Sequence, residues 1–115
     1  MMLGMMLKDK EVSPVYVKGD LEEYCKLIGC SSIEAPCRAI GGRRMTIICD
    51  EEGLLKKDLH TSAVCDDACE KLVGTLIILG LPDSDGNLTE LKVGDINAAN
   101  RAIDDDGVLH YSIRS

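Results

Sequence analysis

The chain has 115 residues, 13 of them basic against 20 acidic, with a net charge of −7 and a sequence pI near 4.7. That length fits one domain, and a hydrophobic fraction of 45% with mean hydropathy +0.02 excludes a disordered, highly charged chain. No apolar run approaches the ~20 residues of a transmembrane helix. The acidic balance argues against generic binding of nucleic acid or anionic membrane, since both need clustered Lys and Arg.

Phe and Trp are absent, Tyr occurs three times and Cys six times, so the core is expected to be Ile, Leu, Val and Met. Met1, Met2, Met5 and Met6 open the chain, and the apolar stretch ends at Leu7 before Lys8-Asp9-Lys10. A secretory signal needs a basic region, a longer apolar run and a small-residue cleavage site, none of which stands here. The reading is a flexible start over residues 1–10 in a cytoplasmic protein whose thiols stay reduced.

Residues 12–18 read as a strand that Pro14 moves toward a sheet edge. Asp20 is placed as the N-cap of a helix, with Glu23 three residues on as in a capping box. Leu21, Tyr24, Leu27 and Ile28 give it one apolar face, and Gly29 stands where a left-handed stop is needed. Residues 31–40 and 43–49 read as strands joined by Gly41-Gly42, a two-residue hairpin signal. A tight turn there sets Ile40 opposite Arg43 and Cys37 opposite Thr46.

Asp50-Glu51-Glu52-Gly53 is a second turn, after which residues 54–59 continue outward. Residues 60–70 carry no clean period and read as a loop running into a short helix. Residues 72–80, the most hydrophobic stretch, read as one central strand buried on both faces. A polar turn over 82–87 and a short strand over 88–91 follow. Asp95 is placed as the cap of a last helix carrying Ile96, Ala99 and Ile103. An acidic turn and a terminal strand over 108–113 close the chain. The class is α+β, one small domain with an antiparallel or mixed sheet and one or two packed helices.

Thiolate and imidazole are the ligands Zn²⁺ prefers, and a structural site takes four of them. His60, Cys65 and Cys69 fall within ten residues, and Cys65-x₃-Cys69 matches metal-ligand spacing. If a helix begins near Val64, both sulfurs share one face. The fourth ligand is expected from the adjacent hairpin, as Cys37 or Cys49, with the assumed register favouring Cys37. The expected site is a structural zinc on Cys37, His60, Cys65 and Cys69, while Cys25 and Cys30 read as packing residues. No HExxH pattern offers a general base for a catalytic zinc.

Asp83-Ser84-Asp85-Gly86-Asn87 lacks the position-twelve Glu of a calcium loop and reads as a polar turn. Asp50, Glu51, Glu52, Asp66, Asp67, Asp104, Asp105 and Asp106 supply an acidic surface for a basic partner. Arg38, Arg43, Arg44, Lys56 and Lys57 offer a second possibility, a basic concavity that sequesters a signalling nucleotide. A zinc enzyme with an open metal position is a third.

Three segments carry a family resemblance: Cys49-Asp-Glu-Glu-Gly-Leu-Leu-Lys56, Leu72-Val-Gly-Thr-Leu-Ile-Ile-Leu-Gly80, and Gly86-Asn-Leu-Thr-Glu-Leu followed by Gly94-Asp-Ile96. Over residues 12–96 their order resembles a small phage-borne and mobile-element family of unknown function, and the chain is similar to type II-A anti-CRISPR proteins, some of which bind metal. The resemblance implies a phage- or prophage-encoded, non-enzymatic inhibitor acting in a bacterial host. Its implied partner is the RNA-guided nuclease of a type II CRISPR system, whose positive channels hold guide and target. An acidic protein docked there would block target-DNA loading or cleavage without itself binding nucleic acid.

Overall fold

The structure is a computed structural model and describes residues 1–114. Met2–Lys8 forms β1 and Glu11–Val17 forms β2, paired antiparallel from Met2↔Val17 to Lys8↔Glu11. The expected flexible start is therefore corrected. Met5 and Leu7 are buried, and β1 lies between β2 and a core strand. Asp9 and Lys10 turn the hairpin with φ of 51° and 69°, values that a two-residue turn normally assigns to Asn-Gly.

Leu21–Ile28 forms α1. Asp20 Oδ1 accepts from the Glu23 amide at 2.8 Å, while Glu23 Oε1 accepts from the Lys18 and Gly19 amides at 2.8 and 3.0 Å. Gly29 ends the helix at φ 80°. Ile33–Glu34 (β3) and Cys37–Ile40 (β4) both pair antiparallel with Arg43–Asp50 (β5). The expected continuous strand is interrupted at Pro36, which has no amide proton, yet its carbonyl still accepts from Ile47. The hairpin register holds, with Cys37↔Thr46 and Ile40↔Arg43, around Gly41 and Gly42 at φ 58° and 81°.

The segment after Asp50 makes a single 3-10 turn, Gly53–Leu55. Beyond it the expected short helix is replaced by strands. Thr61–Cys65 (β6) turns back into Lys71–Val73 (β7) through residues 66–70, with Cys65 N donating to Glu70 O at 3.0 Å. Gly74, at φ 77°, then breaks the long apolar run, and only Leu76–Leu79 forms the buried central strand β8. Residues 88–91 make one isolated bridge, Pro82↔Leu88, rather than a strand.

Val93–Arg101 is α2 and Leu109–Tyr111 is β9. Asp95 stands at the third helical position, not at the cap, and accepts from the Lys92 amide at 2.9 Å. The larger sheet runs β2-β1-β8-β5-β3, with β4 also on β5; the smaller runs β7-β6-β9 and includes a parallel β6–β9 pair.

Alternation along β5 and β8 divides the core by face. Met45, Ile47, Leu76 and Ile78 pack toward α2 and the smaller sheet, with Ala98, Ala99, Leu109 and Tyr111. Ile48, Ile77 and Leu79 pack toward α1 with Val17 and Tyr24. No helix among the described residues is long and apolar enough to cross a membrane.

Candidate functional site

The expected zinc ligands are not gathered. His60 precedes β6 and Cys65 ends it, a separation of about 16 Å along an extended strand. His60 Nε2 lies 3.5 Å from Ser62 Oγ, and Cys65 Sγ donates to Asp67 Oδ1 at 3.2 Å. Cys37 lies on β4, 3.9 Å from Thr46 Oγ1, and Cys69 is exposed in the β6–β7 turn. Among the described residues no three His, Cys, Asp or Glu side chains are placed to share a metal ion. The alternative ligand, Cys49, is buried, and burial pushes its thiol up to about 12.

Four of the five basic residues are already engaged, and Arg38 and Arg44 meet at the Cys37 carbonyl, to which they donate at 2.9 and 3.3 Å. Arg38 pairs with Glu70, Arg43 with Asp95 and Lys56 with Asp50. Arg44 donates to the carbonyls of Ile113 and Cys37. Ser62 is buried, and its hydroxyl donates to the Gly74 carbonyl.

The acidic set separates into two kinds of carboxylate. Asp-x-x-Gly occurs at Asp50–Gly53, Asp83–Gly86 and Asp104–Gly107. In each, the first Asp folds its own turn by accepting from the amide two residues on: Glu52, Asp85 and Asp106, all at 2.9 Å. Asp83 and Asp104 accept a further amide, from Asn87 and Val108 at 3.0 Å. Such self-capping is a general habit of Asp at turns, and it was legible in the repeated spacing.

Asp66 and Asp67 also serve the fold, and Asp50 and Asp104 each have a second partner. Asp67 accepts from the amides of Ile113 and Arg114 at 2.9 and 3.0 Å, which lowers its pKa. Asp66 and Asp104 flank His110 at 3.1 and 2.8 Å. Asp50, whose side chain is only 5% exposed, holds Lys56.

Glu51, Glu52, Asp105 and Asp106 remain at the middle of their turns, exposed to solvent. The first pair stands beside a feature the sequence reading missed: Leu54 is 64% exposed and Leu55 81%. Both leucines lie on the 3-10 turn, which is seated by Gly53, buried against Val73 with no room there for a side chain of its own. A Cβ on Gly53 would stand 2.8 Å from Val73 Cγ2.

Residues 2–104, from β1 to the first Asp of the third Asp-x-x-Gly turn, match the family model described as Domain of unknown function (DUF3846). The chain belongs to this family. No curated protein and no solved structure matches it. The DUF3846 match thus takes in the first two self-capping turns and the exposed leucine pair but only the leading Asp104 of the third turn, and β9, which completes the smaller sheet, lies beyond it. In this DUF3846 chain Glu51, Glu52, Leu54 and Leu55 combine exposed charge with exposed apolar surface on one fixed turn.

Proposed function

We propose that this chain is a non-enzymatic binding protein that docks on a basic partner protein through the turn between β5 and β6. The observation that supports it is the exposure of Leu54 and Leu55 beside Glu51 and Glu52, on a base fixed by the Asp50–Lys56 pair. Exposed leucines gain by burial against an apolar groove. Carboxylates around them speed encounter with a basic rim and select against acidic surfaces. Asp105 and Asp106, on another turn, add to the long-range field.

The sequence resemblance supplies the candidate target, a type II RNA-guided nuclease, and the setting, a bacterial cytoplasm reached from a phage or prophage gene. Docking on its positive channel would obstruct target-DNA loading or cleavage. A zinc staple has no part in this reading, since β6 separates His60 from Cys65. The nucleotide-sequestering alternative loses support because Arg38, Arg43 and Lys56 already hold carboxylates. Cleavage of target DNA by a purified type II-A nuclease, with and without this protein, tests the proposal. Dose-dependent loss of cleavage is expected; unchanged cleavage at saturating protein would sink the nuclease assignment.

A further inference from the structure

Cys25 and Cys30 stand at the two ends of the chain reversal that stops α1. The amides of Gly29 and Cys30 both donate to the Cys25 carbonyl, at 2.8 and 3.0 Å, with Gly29 at φ 80°. A reversal closed by that bond from the second residue past the helix brings its side chain onto the residue five positions earlier. Both thiols are partly exposed, and both line one shallow concavity with Lys26, Ser31 and Lys56. Burial, the charge of Asp50 and the facing Cys25 thiol push Cys30 up to about 11. The two cysteines read in sequence as packing residues are thus a matched dithiol at an open surface.

We infer that Cys25 and Cys30 are a redox modification site, closing to a disulfide across the α1 stop when the protein meets a low-molecular-weight disulfide oxidant. One cysteine thiolate attacks the oxidant's S–S bond, forms a mixed disulfide and expels one small thiolate. The second cysteine thiolate attacks the protein sulfur and expels the other. Two electrons pass from the dithiol to the oxidant, and the two cysteine protons end on the two small thiols. The fold holds the pair together beforehand, so closure outruns oxidation of thiols that must first find a partner. A bridge requires Cα atoms within ~4.4–6.8 Å, the kind of approach this reversal creates. Lys56 links the site to the turn between β5 and β6, because it lines the same concavity and pairs with Asp50.

The test uses the folded, fully reduced protein, oxidised glutathione, an alkylating quench in denaturant that reaches every remaining thiol, and tryptic mass mapping. Cleavage after Lys26 separates residues 19–26 from 27–38 unless a disulfide joins them. The expected result is loss of two of the six alkylatable thiols, with those peptides joined and reversal by dithiothreitol. Because residues 27–38 also contain Cys37, the link must persist in Cys37→Ser and vanish in Cys30→Ser. A first link elsewhere, such as Cys65 to Cys69, or stable glutathione adducts on Cys25 and Cys30 without closure, would overturn the inference.

Discussion

Arg38 on β4 and Glu70 before β7 form a two-point ion pair, with Nε–Oε1 and Nη2–Oε2 both at 3.1 Å. Glu70 Oε1 also accepts from the Tyr111 hydroxyl at 2.8 Å. One carboxylate therefore ties the larger sheet to both outer strands of the smaller one. Arg38 and Tyr111 together hold its pKa below the ordinary glutamate value of 4.5, Arg38 contributing most.

Replacing Glu70 by Ala leaves a largely buried guanidinium and a buried phenol without their acceptor. The expected cost is about 1–3 kcal/mol, read as a shift in urea midpoint with unchanged slope. Arg38→Ala combined with Glu70→Ala should cost less than the sum of the two single changes. Additive effects would show that the pair is not coupled.

His110 sits between Asp104 and Asp66, which raise its pKa above 6.5. A raised folded-state value means the protonated ring stabilises the fold below the ordinary histidine pKa. That contribution is lost as pH rises through the folded value. Wild type should therefore exceed His110→Gln in stability at pH 6, with the gap shrinking through pH 8 and above. A gap that widens with pH would contradict this assignment.

The first strand gives a pair of opposite expectations. A Cβ on Gly4 would stand 2.7 Å from the Ile78 carbonyl and Leu79 Cδ2, so Gly4→Ala should destabilise by about 1–3 kcal/mol. Lys10→Gly relieves a left-handed lysine and should stabilise by up to about 1 kcal/mol. Thermal melts of the two variants decide. Neutral results from both would restore the picture of a flexible start.

Chelation addresses the metal expectation directly. Since His60, Cys37 and the Cys65–Cys69 turn do not meet, EDTA should leave the Tm unchanged. Cys69→Ser, at an exposed position, should shift stability by less than about 0.5 kcal/mol. A marked fall in Tm on chelation would show that a metal assembles donors in another arrangement.

Local chemistry explains which parts were legible. Gly41-Gly42 fixed the hairpin register, and Asp20, Glu23 and Gly29 bounded α1, because caps and tight turns act over a few residues. The place of β1 depends on contacts with β8, more than sixty residues away, which no local pattern encodes. Gly74 looked like part of an apolar run, yet its left-handed backbone sends β7 and β8 into different sheets. At the candidate site, the acidic residues were visible but their division was not, until the repeated Asp-x-x-Gly spacing was matched to amide acceptance. Residues 54–59 are read from sequence as continuing outward, but nothing local to Leu54 and Leu55 shows that a 3-10 turn leaves both side chains in solvent.

The docking turn is tested most directly by equilibrium binding to a purified type II-A nuclease, comparing wild type with Leu54→Ala/Leu55→Ala and Glu51→Lys/Glu52→Lys. Wild type should bind one-to-one and more weakly as salt rises. The leucine variant should lose at least tenfold in affinity with a similar salt slope, and the lysine variant should lose both affinity and slope. Undiminished binding by both folded variants, or no wild-type binding at low salt, would contradict the account.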